Sequence, residues 1–272
     1  MNIETLIVTV NQTDHSLVKK MNVQTDAIVG NQGSTTSTQE FYMDGNRILH
    51  INTTDRGVGK NRNLVLRHAR GEICVFADDD MRFVDGYPQI VEEAARLRPD
   101  ADILIFNLIE KHPVRYVIKK ITRITWRNYA RYGAARLAVY PEKIAAAGIS
   151  FTSMFGGGCK YGSGEDTIFL KECLDKGLKL YAFPFALAEI DQDAESTWFC
   201  GYNKKFFFDK GAFYCAVAPK LKWIYSIRYL LKYRYKYAKE CGVRAAFEYM
   251  SEGIRSFDRE EFENERRAGR QQ

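Results

Sequence analysis

Residues 73–80 place a short apolar run directly before three consecutive aspartates. The run is Ile-Cys-Val-Phe-Ala at 73–77, and Asp78, Asp79 and Asp80 follow at once. A run of this length, rich in β-forming residues, predicts a strand buried on both faces, as in a parallel sheet. Because ligands of open α/β sheets bind just beyond the carboxyl ends of the strands, the three acids are candidates for a binding site.

Three adjacent carboxylates repel one another, and each costs free energy to remove from water. A divalent cation would offset both costs. Oxygen ligands of this kind suit Mg²⁺ or Mn²⁺, which keep some waters and accept substrate phosphates as further ligands. The alternative is a solvated acidic loop that caps the next element.

The rest of the chain alternates short apolar runs with helical segments. Predicted strands cover residues 5–10, 27–30, 47–51, 102–108 and 178–183, in addition to 73–77. Predicted helices open after residue 11 and cover 58–69, 87–97 and the segment after Gly164. This alternation favours a parallel sheet with crossover helices. The basic and aromatic segment 111–136 is compatible with either a strand pair or a loop insertion.

A glycine-rich turn at residues 57–59 leads into the helix predicted at 58–69. Lys60 and Arg62 lie in its first turns. Cations there would reinforce the positive end of the helix dipole and make it an anion site. The alternative is that both are solvated surface charges.

A second glycine-rich segment, residues 155–164, contains five glycines and predicts a mobile loop. Glu165 and Asp166 begin the helix that follows it. Acids in a first helical turn commonly stabilise the dipole. The functional alternative is a general base held at a rigid helix start, next to a loop that closes over a substrate.

The net charge of the 272 residues, +6, is concentrated in one segment. Residues 201–240 contain ten Lys or Arg and two acids, which favours an acidic partner, either a membrane or nucleic acid. No secretory signal and no apolar stretch of about 20 residues is visible. The six cysteines have no paired spacing, so we expect reduced thiols in the cytoplasm.

The ordered set of motifs resembles family 2 glycosyltransferases with the GT-A fold, of the bacterial polysaccharide-building kind. The resemblance covers residues 4–188. It rests on the opening strand with Asn11, the Gly-Val-Gly-Lys-Asn-Arg-Asn run at 57–63, Ala-Arg-Gly-Glu-Ile at 69–73, the Asp-x-Asp element at 78–80 and Gly-Glu-Asp at 164–166. The implied fold is α/β, a Rossmann-like, mostly parallel sheet flanked by helices. It divides the chain into a catalytic domain, 1–190, and a helical, basic extension, 191–272.

The resemblance implies a role for each candidate side chain. Asp166 matches the catalytic base, with Glu165 as the less favoured choice. Asp78 and Asp80 would hold a Mn²⁺ or Mg²⁺ ion that bridges the diphosphate, and Asp79 would lie near the sugar or ribose. The remaining nucleotide-sugar contacts would come from Val10, Asn11, Asn31, Gly57, Lys60 and Arg62.

The implied reaction is inverting transfer of one sugar from a UDP- or GDP-sugar to a hydroxyl of a glycan or lipid-linked acceptor. The family usually has Asp-Asp-Gly-Ser after the second strand, whereas residues 31–34 are Asn-Gln-Gly-Ser, which leaves the base preference open. No Gln-x-x-Arg-Trp element of processive synthases follows. A catalytically silent binding module on the same fold is the alternative. No RNA-recognition signature supports a nucleic-acid partner.

Apolar residues recur at helical spacing in the basic extension. They are Leu221, Ile224, Ile227, Leu231 and Ala238. Such a stripe usually packs on a core. The alternative is a surface helix lying on anionic lipid, which would place the enzyme at the inner face of the membrane. Residues 197–203 are expected to line the acceptor side.

Overall fold

The computed structural model describes residues 1–192 and 201–269, which form a mixed ten-stranded sheet with helices on both faces. The strands are β1 (Ile3–Val10), β2 (Asp26–Gln32), β3 (Ser37–Met43), β4 (Asn46–Thr53), β5 (Ile73–Asp78), β6 (Met81–Phe83), β7 (Ile103–Ile109), β8 (Thr122–Arg123), β9 (Leu137–Val139) and β10 (Leu180–Ile190). The described helices are α1 (Ser16–Lys20), α2 (Val58–Arg67), α3 (Tyr87–Leu97), α4 (Pro141–Ala146), α5 (Glu165–Asp175), α6 (Lys204–Val217), α7 (Lys222–Tyr237), α8 (Val243–Ser256) and α9 (Arg259–Gly269).

The sheet has the order β3-β4-β2-β1-β5-β9-β7-β10-β6, with β8 paired to β10. Strands β1, β2, β4 and β5 are mutually parallel, and β9 runs antiparallel to both β5 and β7. In the register, Val8 pairs with both Gly30 and Asp78. The carboxyl ends of β1, β2 and β5 therefore lie at one edge of the sheet, as expected for an open α/β fold.

The continuous apolar runs are explained by two cores, one on each face of the sheet. In β5, Val75 packs into the core with α1 and α3, whereas Phe76 packs into the core with α2, α4 and α5. Successive side chains of a strand point to opposite faces, so a strand buried twice has no polar alternation. The predicted α/β class with a central sheet is confirmed.

The structure corrects several boundaries in the sequence prediction. The polar segment Ser37–Met43 is an edge strand, β3, that pairs antiparallel with β4. It was missed because most of its side chains are exposed and carry no apolar alternation. Strand β10 is longer than predicted and ends at Ile190. In the segment 111–136, only Thr122–Arg123 forms a strand.

The apolar stripe of α7 does not pack on the core, although a stripe of this kind usually does. Ile224, Ile227 and Leu231 are exposed, and the buried side of the helix carries Ser226, Leu230 and Tyr237. The stripe prediction was wrong because the aromatic side chains on the opposite face supply the packing surface. Of the expected acceptor-side segment, residues 197–200 lie outside the described residues.

Helix α9 ties the C-terminal helices back to residues 150–153 and to α5. Arg266 is buried, donates to the Ser150 carbonyl oxygen at 2.6 Å and forms an ion pair with Glu172. Glu265 accepts hydrogen bonds from the Ser153 backbone N–H at 2.8 Å and from the Thr152 hydroxyl at 3.0 Å. These bonds fix the segment that leads into the glycine-rich loop.

Within residues 1–192 and 201–269, no helix combines the length and apolar character that crossing a bilayer requires. In the same part of the chain the cysteines are free thiols, and Cys200 lies outside it.

We expect Arg266→Met to lower the free energy of unfolding by about 3 kcal/mol, because it leaves Glu172 charged in a buried place. The measurement is a urea titration of both proteins, in which the free energy of unfolding should depend on urea concentration with the same slope in the variant and the wild type. Arg244→Met is the matched control: Arg244 is 94% exposed and pairs with Glu248 four residues on, so its loss should stay within about 0.5 kcal/mol. Equal midpoints for the two variants would contradict the role given to α9.

Candidate active site

A single guanidinium lies at the centre of the predicted site. Arg62 Nη1 donates to Asp166 Oδ1 at 2.7 Å and to Glu165 Oε1 at 3.0 Å, and Nη2 donates to Asp78 Oδ1 at 3.1 Å. The Arg62 side chain is only 4% exposed. Burial alone would lower its pKa, but the three carboxylates hold the pKa of Arg62 above its usual value. The acids that end β5 and begin α5 are therefore joined through one residue of α2.

Helix α2 reaches this position because glycines let it approach its neighbours. Gly57 precedes the helix with a φ of +117°, and a Cβ there would come within 2.8 Å of the Cys159 sulfur. The Val58 backbone N–H donates to the Gly157 carbonyl oxygen at 3.0 Å. The two glycine-rich segments, far apart in sequence, thus pack on each other at the start of α2.

The three aspartates after β5 point to different partners. Asp78 pairs with Arg62, and Asp79 accepts a hydrogen bond from the Thr9 hydroxyl at the end of β1. Asp80 Oδ1 is buried and has no hydrogen-bond partner among the described residues. Burial, together with the like charges of Asp78 and Asp79, raises the pKa of Asp80 to about 6. A buried carboxylate oxygen in this state is incomplete without a positive ligand.

Asp78 and Asp80 fit a hard divalent cation that takes most of its ligands from water and substrate. Among the described residues, no group of three or more His, Cys, Asp or Glu is arranged to hold a metal. Asp78 and Asp80 would thus provide two carboxylates, one of them with the unpartnered oxygen. Mg²⁺ and Mn²⁺ are commonly held in this way, with water and substrate oxygens completing the coordination.

Asp166 lies in the first turn of α5, where the helix start and a neighbouring turn confine it. Gly164 precedes the helix with a φ of +122°. A Cβ on Gly133 would lie 3.0 Å from Asp166 Oδ2, so the carboxylate sits against the backbone of that turn. Burial raises the pKa of Asp166 to about 7, with Glu165 adding to the rise and Arg62 opposing it. The side chain remains 25% exposed and accessible to a substrate.

Asn31, which was predicted to border the base, belongs to a hydrogen-bonded chain at the ends of β1 and β2. Asn31 donates to the Gln12 carbonyl oxygen and to Asn52 Oδ1, and its own oxygen accepts from the Gln12 backbone N–H. Gln12 Nε2 donates to the Thr9 hydroxyl at 3.0 Å, and Thr9 donates to Asp79. The buried Asn31 amide thus braces the Gln12 loop, which connects the base side to the aspartates.

Val10 and Asn11 leave the sheet at the same edge and are exposed. Val10 is 47% exposed, and Asn11 adopts a positive φ of +54°. Lys60 is exposed in the first turn of α2, whereas Arg62 of the same helix is buried. The structure therefore separates the two predicted anion-binding cations: Lys60 faces solvent, and Arg62 serves the three carboxylates.

The sequence profile of the family described as Glycosyl transferase family 2 matches residues 9–154, more than half of the chain. The chain belongs to glycosyltransferase family 2. The match includes Arg62 and the three aspartates after β5 and ends before Asp166. None of the curated proteins compared with this chain matches it.

Solved structures of S. aureus TarS share the fold of this family 2 glycosyltransferase. Residues 1–349 of TarS in complex with UDP-GlcNAc superpose with a TM-score of 0.65 at 13% identity, covering 95% of this chain and 93% of TarS 1–349. The complex with UDP gives a TM-score of 0.60 at 14% identity, covering 92% and 90%. At these identities the likeness shows a common fold, and the predicted GT-A architecture is confirmed.

Three residues that support the candidate site were not found from sequence. Thr9 and Gln12 connect Asp79 to the base side. Buried Asp209 of α6 accepts a hydrogen bond from the Gly162 backbone N–H at 2.8 Å and so supports the glycine-rich loop. The sequence offered two signals: the hydroxyl of Thr9 inside an apolar strand, and Asp209 as an isolated acid within the basic segment. Neither identifies its partner, because the partners are 47 to 70 residues away.

We expect Arg62→Met to lower the free energy of unfolding by about 3 kcal/mol, because three carboxylates lose their shared cation. Chemical denaturation at neutral pH measures this. Lys60→Met, on the same helix but exposed, should change stability by no more than about 0.5 kcal/mol. If both variants unfolded at the same denaturant concentration, Arg62 would not be what holds the acids together.

Proposed function

We propose that the protein is an inverting, single-sugar transferase that uses a nucleotide-diphosphate sugar and a divalent cation. The acceptor is a hydroxyl of a glycan or lipid-linked molecule. The observation that carries this proposal is the shared Arg62 guanidinium, which holds Asp78 and Asp166 on two of its nitrogens. A donor-side acid and a candidate base are thereby fixed side by side, as displacement at one sugar carbon requires.

The donor is proposed to bind along the edge formed by β1, β2 and β5. Val10, Asn11 and the loop braced by Asn31 border the base, with Gly57 and Lys60 nearer the phosphates. Asp79 lies near the sugar or ribose. The TarS structures with UDP and UDP-GlcNAc support a UDP-sugar as the first donor to test, with a GDP-sugar as the second.

Asp78 and Asp80 would hold the cation, either Mn²⁺ or Mg²⁺. When bound, it would stabilise the negative charge that develops on the leaving diphosphate without a proton transfer. Arg62 keeps Asp78 in place, and the Asp80 oxygen, which has no hydrogen-bond partner among the described residues, is the group with most to gain from a cation.

Asp166 is proposed to accept the proton of the acceptor hydroxyl as that oxygen attacks the sugar. A hydroxyl is a weak nucleophile, and a carboxylate within hydrogen-bond reach removes its proton as the new bond forms. The raised pKa of Asp166, about 7, matches the basicity that this task requires near neutral pH. Attack from the face opposite the leaving group inverts the anomeric centre. Glu165 shares the Arg62 nitrogen and is the less favoured base.

We divide the chain into a catalytic part, residues 1–190, and a basic helical extension, 191–272, on the acceptor side. The contact of Phe213 with Gly164, where an added Cβ would come within 2.5 Å of the ring, supports a role for α6 in placing the start of α5. The proposed place of work is the cytoplasm, at the inner face of the membrane, where a lipid-linked acceptor would lie.

We expect Asp166→Asn to reduce transfer at least about a thousandfold, because the amide cannot accept the proton, while donor affinity changes less than about threefold. Product formation and calorimetric donor binding measure the two effects. Glu165→Gln is the matched comparison and should retain most of the activity. Equal losses of transfer and binding in Asp166→Asn would refute the base assignment, and wild-type protein without turnover on any donor would favour the silent binding module.

We expect Asp80→Asn to weaken Mn²⁺-dependent donor binding at least about tenfold. The same substitution should raise the melting temperature of the metal-free protein, because it removes a charge that is disfavoured by burial and by the neighbouring Asp78 and Asp79. Asp44→Asn, in the exposed turn between β3 and β4, should change neither quantity. Unchanged Mn²⁺ dependence, or a lower melting temperature, would contradict the role given to Asp80.

A further inference from the structure

The outer face of α7 exposes a continuous row of large apolar side chains. Ile224 is 62% exposed, Ile227 48%, Leu231 70% and Tyr235 75%. Their spacing of three and four residues places them along one face of the helix. Ile224, Ile227 and Leu231, with the side chains of Arg228 and Lys232, line an open depression. No described segment of the chain covers this face.

Basic residues border the row on both sides. Because each residue turns the helix by about 100°, Arg228 and Lys232 lie along one margin and Arg234 along the other. The sixteen residues of α7 include no acid. An apolar strip between two margins of positive charge is complementary to a surface with an apolar interior and an anionic outer layer.

We propose that this face of α7 lies on an anionic lipid bilayer, with the apolar row in the headgroup–acyl boundary and the basic margins against lipid phosphates. The arrangement is that of an interfacial amphipathic helix. A second copy of the chain fits less well, since two such faces would bring like charges together. Nucleic acid would leave Ile224, Ile227 and Leu231 exposed.

The same helix lies close to the segment that contacts the proposed base. Tyr225 is near enough to Tyr129 that it contributes to the raised pKa of the Tyr129 phenol. Tyr129 lies four residues before Gly133, and Gly133 is in contact with Asp166. The docking proposal itself rests on the surface of α7 and is independent of the chemistry.

The test is sedimentation of the full chain with vesicles of phosphatidylcholine, with and without phosphatidylglycerol. We expect binding to the anionic vesicles, weak binding to the neutral ones, and release as salt rises from about 0.1 M to about 1 M. Arg228→Ser with Lys232→Ser should lower the partition coefficient roughly 25-fold, about fivefold for each charge. Leu231→Glu should lower it at least about tenfold.

Matched control variants test whether a loss of vesicle binding is specific to α7. Leu97→Glu on α3 and Arg67→Ser on α2 change an exposed apolar and an exposed basic residue elsewhere and should bind vesicles like the wild type. Calorimetric binding of a UDP-sugar should be the same for all these variants, so a failed donor assignment would be distinguishable from failed docking. The proposal is overturned if anionic vesicles do not bind the protein, or if the controls weaken binding as much as the α7 variants. It is also overturned if light scattering shows a dimer that Leu231→Glu dissociates.

Discussion

The contact between Arg62 and three carboxylates is the interaction on which the arrangement of the site depends. Asp78 ends a strand, Glu165 and Asp166 begin a helix about ninety residues later, and α2 supplies the cation between them. Unpaired acids so close together would repel each other, and a lysine could not reach all three. A planar guanidinium with several donors satisfies both the charge and the geometry.

Asp80 shows the opposite situation, since its buried Oδ1 has no hydrogen-bond partner in the part of the chain that the structure describes. Stability alone would favour a neutral residue at this place. A group that is unfavourable for folding but positioned at the edge of a sheet is most readily understood through what it binds. The two acids of one Asp-x-Asp element thus differ: Asp78 is paired with Arg62, and Asp80 has no comparable hydrogen bond among the described residues.

The sequence was sufficient to predict the elements whose pattern is local. The apolar run of β5 specified a doubly buried strand, and parallel pairing then placed Asp78 beside the ends of β1 and β2. The resemblance to the family supplied Asp166. Edge strand β3 was not predicted because most of its side chains face water. The stripe of α7 was assigned to the core because periodicity shows that a helix face is apolar but not what covers that face. Partners such as Asp209 and Gly162 depend on the fold as a whole.

The attachment of α9 has a consequence for the order of events during synthesis. Ser150 and Arg266 are 116 residues apart, and both Thr152 and Ser153 depend on Glu265 of the same helix. At translation rates of about 5–20 residues per second, the segment beneath α2 waits roughly ten seconds for its anchor. A nascent chain would already hold the sheet and all three aspartates after β5 while this side of the site stays open. This side of the candidate site would therefore be completed only after α9 has been synthesised.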